Sequence, residues 1–381
     1  MNHDILPILE TLIGFKSVTP RGKDAIEFIA NFLSNLGFKS EVKCFGQGAD
    51  EVANLYAVFG NATPNICFAG HVDVVPPMNE HLWHANPFKM LIEDDIIYGR
   101  GTVDMKGALA CSLVAVAQFL KNTSNPNISI SFLLTSDEEG DAVYGTKKML
   151  EYIASQGHKI DFCILGEPTS QFKIGDTIKI GRRGSVNFDL TVKGKQGHVA
   201  YPEKAINPIP VMARILSALT DKKFDSGSEY FQKSNLEITS VDTGNPTSNI
   251  IPESVRAKFN IRFNDNHTAK DLNAMVMQII SKHCEDYDLK YTSSAAPFIQ
   301  KYSPRMQKFT KLVQEVCKLS PNIETSGGTS DARFIHSYCE IVEFGLNNNS
   351  AHQINEHTKI SDLQTLYNVY YGCLALYASG E

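Results

Sequence analysis

Five short segments carry side chains able to hold a divalent cation or move a proton. They are Gly70-His71-Val72-Asp73, Gly101-Thr102-Val103-Asp104, Ser136-Asp137-Glu138-Glu139-Gly140, Leu165-Gly166-Glu167-Pro168 and His352-Gln353-Ile354-Asn355-Glu356. Singly, a His-x-Asp is usually a local hydrogen bond and a Glu-Glu pair a solvated surface. As a set they read differently. Carboxylates gathered without partners repel one another and raise their pKa values, and a divalent cation removes that penalty. One zinc takes roughly three or four protein ligands from histidine nitrogen and carboxylate oxygen. This inventory exceeds one metal. It suits a pair of metals bridged by a carboxylate, with a glutamate base beside them.

The elements that must position these side chains can be read from the pattern between them. Apolar faces at helical spacing run over residues 4–14 and 24–36, the second stopped by Gly37. Strands are expected at 41–45, 54–59 and 66–69, the last a continuous apolar run of the kind buried on both faces. A helix follows at 105–121, a strand at 128–135, a helix at 146–156 and a strand at 162–165. Strands alternating with helices indicate an α/β layer structure. In such sheets ligands bind beyond the carboxyl ends of the strands. His71, Asp73, Asp104, Glu138, Glu139 and Glu167 all lie there or at the start of the next helix.

The pattern changes near Gly181. Strand 185–193, helix 206–219, strands 236–241 and 255–263, helix 269–284 and strand 289–293 give the β-α-β-β-α-β order of a ferredoxin-like α+β sandwich. After Pro297 the α/β style returns with helix 305–319, strand 341–344 and a closing helix 362–378. The expected organisation is a discontinuous domain, residues 1–181 and 297–381, interrupted by an insert at 182–296. The glycine-rich stretch 326–330 lacks a Gly-Lys-Ser/Thr ending and opens no long helix, so it is not read as a phosphate loop.

Bulk properties bound the function. At 381 residues, with 43% apolar and 20% charged side chains, the chain reads as a soluble two-domain globular protein. A net charge of −6 argues against nucleic-acid binding. The start Met1-Asn2-His3-Asp4 has no basic stretch leading into an apolar one, and the apolar run 108–120 is too short to span a bilayer, so neither export nor membrane insertion is expected. The cysteines at 44, 67, 111, 163, 284, 317, 339 and 373 show no C-x-x-C spacing, which points to free thiols in a reducing cytoplasm.

The segments Gly-His71-Val-Asp73-Val-Val-Pro, Gly-Arg-Gly-Thr-Val-Asp104-Met-Lys-Gly, Thr-Ser-Asp-Glu138-Glu139-Gly and Gly-Glu167-Pro-Thr resemble those of the M20 family of dinuclear-zinc amidohydrolases and peptidases. The order and spacing match across nearly the whole chain. Gly181-Arg182-Arg183-Gly184-Ser185, Gly197-His198, Ser248-Asn249, the 326–334 segment and His352-Gln353 resemble in particular its desuccinylase branch. That branch hydrolyses N-succinyl-LL-2,6-diaminopimelate to LL-2,6-diaminopimelate and succinate, on the route to lysine and the peptidoglycan cross-link. Gln353, where the family usually has a basic residue, and the asparagine-rich run before His352 depart from the pattern.

The resemblance implies a zinc-peptidase-like catalytic domain, a dimerisation or lid insert, and two zinc ions per subunit. Cobalt or manganese would also suit one site. Asp104 is then the bridge, His71 and Glu167 complete one site, and Glu139 and His352 the other. Glu138 is the general base, and Asp73 orients His71 through its other ring nitrogen. His198, in the insert, is expected to reach a partner subunit's site in a homodimer and stabilise the oxyanion. Arg182 and Arg262 are expected on substrate carboxylates, with Ser185, Tyr201, Asn249 and Thr329 adding hydrogen bonds. The resemblance also implies a cis peptide bond at Asp104–Met105. Sister activities, N-acetylornithine deacetylation or dinuclear-zinc carboxypeptidase action, use the same zinc ligands and stay open from these residues alone.

Overall fold

Four strands form the parallel centre of the main sheet in the computed structural model, which describes residues 5–380. Ser129–Thr135, Asn65–His71, Phe162–Leu165 and Glu340–Glu343 lie side by side and point the same way. Asn65–His71 and Ser129–Thr135 are buried along their whole length, as central parallel strands are when layers cover both faces. Lys39–Phe45 and Val52–Phe59 add an antiparallel edge on one side. Thr177–Lys179 and Asn322–Glu324 add a short edge on the other. The result is an eight-stranded mixed sheet.

Helix Lys106–Asn122 is buried on almost every face, the mark of a core helix rather than a surface one. It packs against Ile5–Gly14 and the closing helix Ile360–Ala378, which in turn meets Pro304–Cys317. Lys23–Asn35 packs on the strands Lys39–Phe45 and Val52–Phe59. Its end follows from Gly37, whose φ of +90° is open to glycine and strained for other residues.

The chain divides into two compact units. The first holds Met1–Ile180, Gln300–Glu324 and Ser330–Glu381. The second holds Gly181–Ile299 together with Thr325–Thr329. In the second unit Asn235–Asp242, Ser254–Phe263, Gly184–Lys193 and Tyr287–Ala295 form a four-stranded antiparallel sheet in that spatial order. With helices Ile209–Thr220 and Ala269–Ile280 this is the ferredoxin-like topology. Its core is the inward-facing alternation Val186, Phe188, Leu190, Val192 on one strand and Val255, Ala257, Phe259, Ile261, Phe263 on the next, closed by Met212, Ile215, Leu272 and Val276 of the helices.

Several boundaries differ from the sequence reading. The insert's first helix starts at Ile209, not 206, because prolines at 208 and 210 fit only the cap and first turn. Ile206 instead bridges Lys195. The second insert helix stops at Ile280, and Pro304–Cys317 ends where Lys318 turns left-handed at φ 57°. Leu91–Glu93, Ile96–Tyr98 and His357–Lys359 form a small three-stranded sheet that three-residue segments could not announce by periodicity. Met1–Asp4, read above for export signals, lie outside the described residues. Among the described residues no helix is long and apolar enough to cross a membrane, and all eight cysteines are free.

Candidate dinuclear metal centre

The carboxyl ends of the central strands meet at one edge of the main sheet. His71 ends its strand, Glu138 and Glu139 follow Thr135, Glu167 follows Leu165, and the loop after Glu343 carries His352. Asp104 stands just before helix Lys106–Asn122, at a cis Asp104–Met105 bond.

Asp104 is the centre of the arrangement. Its Oδ1 is 3.2 Å from His71 Nε2, and its Oδ2 is 3.2 Å from His352 Nε2. His352 Nε2 is also 2.8 Å from Glu139 Oε1. His71 Nε2 lies 3.8 Å from Glu167 Oε1 and 3.9 Å from Glu138 Oε2. Three groups have donor atoms within 4.8 Å of one another, His71–Asp104–Glu167, Asp104–Glu139–His352 and His71–Glu138–Glu139, and the first two share Asp104. Nitrogen and carboxylate oxygen donors on the two sides of one shared carboxylate fit a pair of divalent cations.

The surroundings of each group are specified by hydrogen bonds. His71 Nδ1 is 2.9 Å from the main-chain carbonyl of Asp73. A ring nitrogen facing a carbonyl carries the proton, which leaves Nε2 as the donor atom toward a cation. The Asp73 carboxylate, 3.7 Å from Nδ1, does something else. It accepts the backbone N–H of Glu138 at 3.3 Å and of Glu139 at 3.0 Å. The sequence reading had Asp73 orient His71. It does so through its backbone, while its side chain anchors the paired glutamates. Asp137 bends the chain away beyond them by accepting from Val143 and Tyr144 N–H.

Electrostatics follow from burial and crowding. Burial, then the neighbouring Glu167, pushes the Glu138 carboxyl well above the usual range. Burial also raises Asp73, to about 6, against the pull of His71 and the two amides. Asp104 is buried too, but its hydrogen bonds to His352 and His71 outweigh burial and hold it below the usual range. Those same bonds, to Asp104 first and then Glu139, raise His352 to about 10. Burial lowers the His71 pKa, yet Asp104, Glu138 and Glu167 outweigh it and raise the ring well above normal.

The other predicted residues lie in the second unit and are grouped there in three places. His198 sits in a short antiparallel pairing of distant segments, Gly197–His198 with Ile250–Ile251, which Val199 N–H to Asn249 carbonyl extends at 3.1 Å. His198 Nδ1 accepts the Ala200 N–H at 3.0 Å, so the neutral ring carries its proton on Nε2. Its ring is 5.7 Å from that of the exposed Tyr201. This pairing thus gathers His198, Tyr201 and Asn249. Arg182 is buried and donates from Nη1 to the Gly328 carbonyl at 2.9 Å, in the glycine-rich loop that carries Thr329. Thr329 Oγ1 is buried without a hydrogen-bond partner among the described residues. Ser185 and Arg262 face each other in register on neighbouring strands. Arg183 is engaged elsewhere, with the Lys233 carbonyl and the Asn235 side chain.

Residues 67–375 match the model of peptidase family M20/M25/M40. The chain belongs to this family. It is 57% identical, over 96% of its length and 95% of the relative's, to the succinyl-diaminopimelate desuccinylase of Rickettsia bellii strain OSU 85-389. It is 58% identical to the enzyme of that name from Rickettsia massiliae, over 96% of this chain and 98% of the other. Among solved structures it is similar to an M20 family metallo-carboxypeptidase from Sulfolobus solfataricus, with a TM-score of 0.83 at 19% identity and 99% coverage of both chains. A tripeptidase from Staphylococcus aureus gives a TM-score of 0.80 at 21% identity, covering 100% of this chain and 99% of the other. These two share this chain's fold.

One residue with a clear place in this M20 site was given no role by the sequence reading. Glu356 is fully buried, and its carboxylate takes four hydrogen bonds from Arg100 and the backbone of Gly101, Val103 and Asp104. Its signals in the sequence were its place four residues after His352 and an arginine between two glycines at 99–101. Neither said that these segments, more than 250 positions apart, touch.

Proposed function

We propose that this chain hydrolyses the amide bond of N-succinyl-LL-2,6-diaminopimelate, releasing succinate and LL-2,6-diaminopimelate for lysine and peptidoglycan precursors. What carries the choice of substrate is the 57–58% identity over nearly the whole chain to proteins named for that reaction. What supports hydrolysis is a shared carboxylate, Asp104, between two ligand groups, with Glu138 beside them.

His71, Asp104 and Glu167 would hold one zinc and Asp104, Glu139 and His352 the other, with cobalt or manganese also suited to one place. When bound, the cations supply Lewis acidity and make a water acidic enough to give up a proton near neutral pH. Glu138 takes that proton. Its raised pKa suits it to carry the proton and then pass it to the departing amine. Asp73 fixes the backbone of Glu138 and Glu139, so that one carboxylate faces the metals and the other the reacting water.

His198, with Nε2–H turned outward by its Nδ1 contact, is a donor for the oxyanion of the attacked carbonyl. In this reading it serves the site of a second copy in a homodimer formed through the insert. The strands Asn235–Asp242 and Tyr287–Ala295, which close the insert's sheet at its two edges, favour such pairing. Arg182 and Arg262 take the substrate's carboxylates, with Ser185, Tyr201, Asn249 and Thr329 as further hydrogen-bond partners. The eight free thiols fit a cytoplasmic setting.

The test is a comparison of kcat/KM for N-succinyl-LL-2,6-diaminopimelate and N-acetylornithine on the zinc-loaded chain. A clear preference for the succinyl substrate is expected. A preference for the acetyl substrate contradicts this reading.

A further inference from the structure

We propose that Glu356 is a positioning residue that builds the second of the two cation places, the one formed by Asp104, Glu139 and His352. The inference rests on the dinuclear reading above and deepens it.

The two ligand groups are held in different ways. In the first, His71 lies within a central strand, and Glu167 follows another whose path is still tied to its neighbour by Gly166 N–H to Ala69 carbonyl at 3.1 Å. The sheet ladder fixes both. In the second, Asp104 and His352 stand on irregular segments. His352 is left-handed at φ 62°, and its side chain is 52% exposed.

One side chain ties these two segments together. Glu356 Oε1 accepts Val103 N–H at 2.8 Å and Asp104 N–H at 3.0 Å. Its Oε2 accepts Gly101 N–H at 2.9 Å and Arg100 Nη1 at 2.7 Å. Its carbonyl accepts Gly99 N–H at 3.0 Å. An ionised carboxylate filled by donors makes short, directional bonds, stronger than neutral ones. The backbone from Gly99 to Asp104 is therefore referenced to one residue, four positions after His352. Asn355 secures the far flank, its Oδ1 accepting His84 N–H at 2.7 Å. The 3.2 Å spacing between His352 Nε2 and Asp104 Oδ2 is set by this bracket rather than by the sheet.

Changing Glu356→Gln keeps the shape and exchanges one acceptor oxygen for an NH2 group. That group then faces N–H donors, and half of the bracket opens. The first place loses only the anchoring of the shared Asp104 and keeps its two strand-anchored ligands. The second loses the relative position of two of its three.

The experiment is titration of the metal-free chain with Zn2+ alone, and with Co2+ followed by absorbance, with near-ultraviolet circular dichroism confirming the fold. Wild type is expected to take up two ions. Glu356→Gln is expected to bind one ion with a clearly smaller loss, since that place shares only Asp104 with the bracket, and the other about 10- to 100-fold more weakly, the usual range for residues that orient ligands. Glu356→Asp, a milder change, is expected to act the same way and serves if Glu356→Gln does not fold. Wild-type affinity for both ions in a folded Glu356→Gln or Glu356→Asp chain overturns the proposal, and so does an equal weakening of both. No substrate enters this measurement. Failure of the wild type to cleave the succinyl substrate would therefore overturn the proposed reaction and leave this inference standing.

Discussion

Glu138 and Glu139 are neighbours in sequence with different surroundings. Glu139 reaches His352 at 2.8 Å, whereas Glu138 is crowded by Glu167 and stays 3.9 Å from His71. The account assigns the first to a metal and the second to the proton. Glu138→Gln should leave two ions bound per chain by elemental analysis and lower kcat by about 10³-fold, within the range for a general base. Glu139→Gln should lower the metal content. A second prediction concerns pH. His352, raised to about 10 by Asp104 and Glu139, carries a proton at pH 7 in the metal-free chain. The sign follows from a raised folded-state value. The stabilisation is full below the unfolded value of about 6.5 and is lost as pH rises through about 10. A cation needs the neutral ring, so binding must expel that proton. Metal affinity should therefore rise with pH across the neutral range, and calorimetry in buffers of different ionisation enthalpy should register proton release. Absence of released protons would contradict this. At this scale the sequence was informative where a residue type sits just past an apolar run, as His71 and Glu167 do. It was less specific where a role depends on geometry, as with Asp73, expected to orient His71, whose carbonyl meets that ring and whose carboxylate meets two amides.

Long elements were legible and short ones were not, for a physical reason. Helix Lys106–Asn122 and strands such as Ser254–Phe263 repeat their burial often enough for a period to show. Leu91–Glu93, Thr177–Lys179 and Asn322–Glu324 have three residues each, and their existence depends on partners remote in the chain. Helix ends follow local chemistry. Thr268 caps Ala269–Ile280 in a reciprocal box with Asp271, each side chain accepting from the other's backbone N–H. Thr268→Ala should cost about 1 kcal/mol of stability by denaturant unfolding. It should leave metal uptake unchanged, because this helix belongs to the second unit while the metal ligands belong to the first. A change in metal stoichiometry would contradict that separation of tasks.

At the scale of the whole molecule, the sequence reading puts the insert at 182–296, after a change of pattern near Gly181, and the second compact unit holds Gly181–Ile299. It did not reveal that Thr325–Thr329 join that unit, since they follow a strand of the first. The proposed assignment of His198 to a second copy has a direct consequence. Chains carrying Glu138→Gln and chains carrying His198→Ala should each be nearly inactive. Co-expressed and purified as mixed dimers, they should regain activity, because one of the two sites then holds both intact residues. No recovery would place His198 in its own chain's site, and near-normal activity of the His198→Ala chain by itself would place it outside the reaction. The account as a whole rests on two cations sharing Asp104, and crystallography of the zinc-loaded chain at the zinc absorption edge tests it most directly. The predicted result is two anomalous peaks, one beside each Asp104 oxygen at about 2.0–2.2 Å, with Glu138 bound to neither. A single peak, or Glu138 as a ligand, would contradict it.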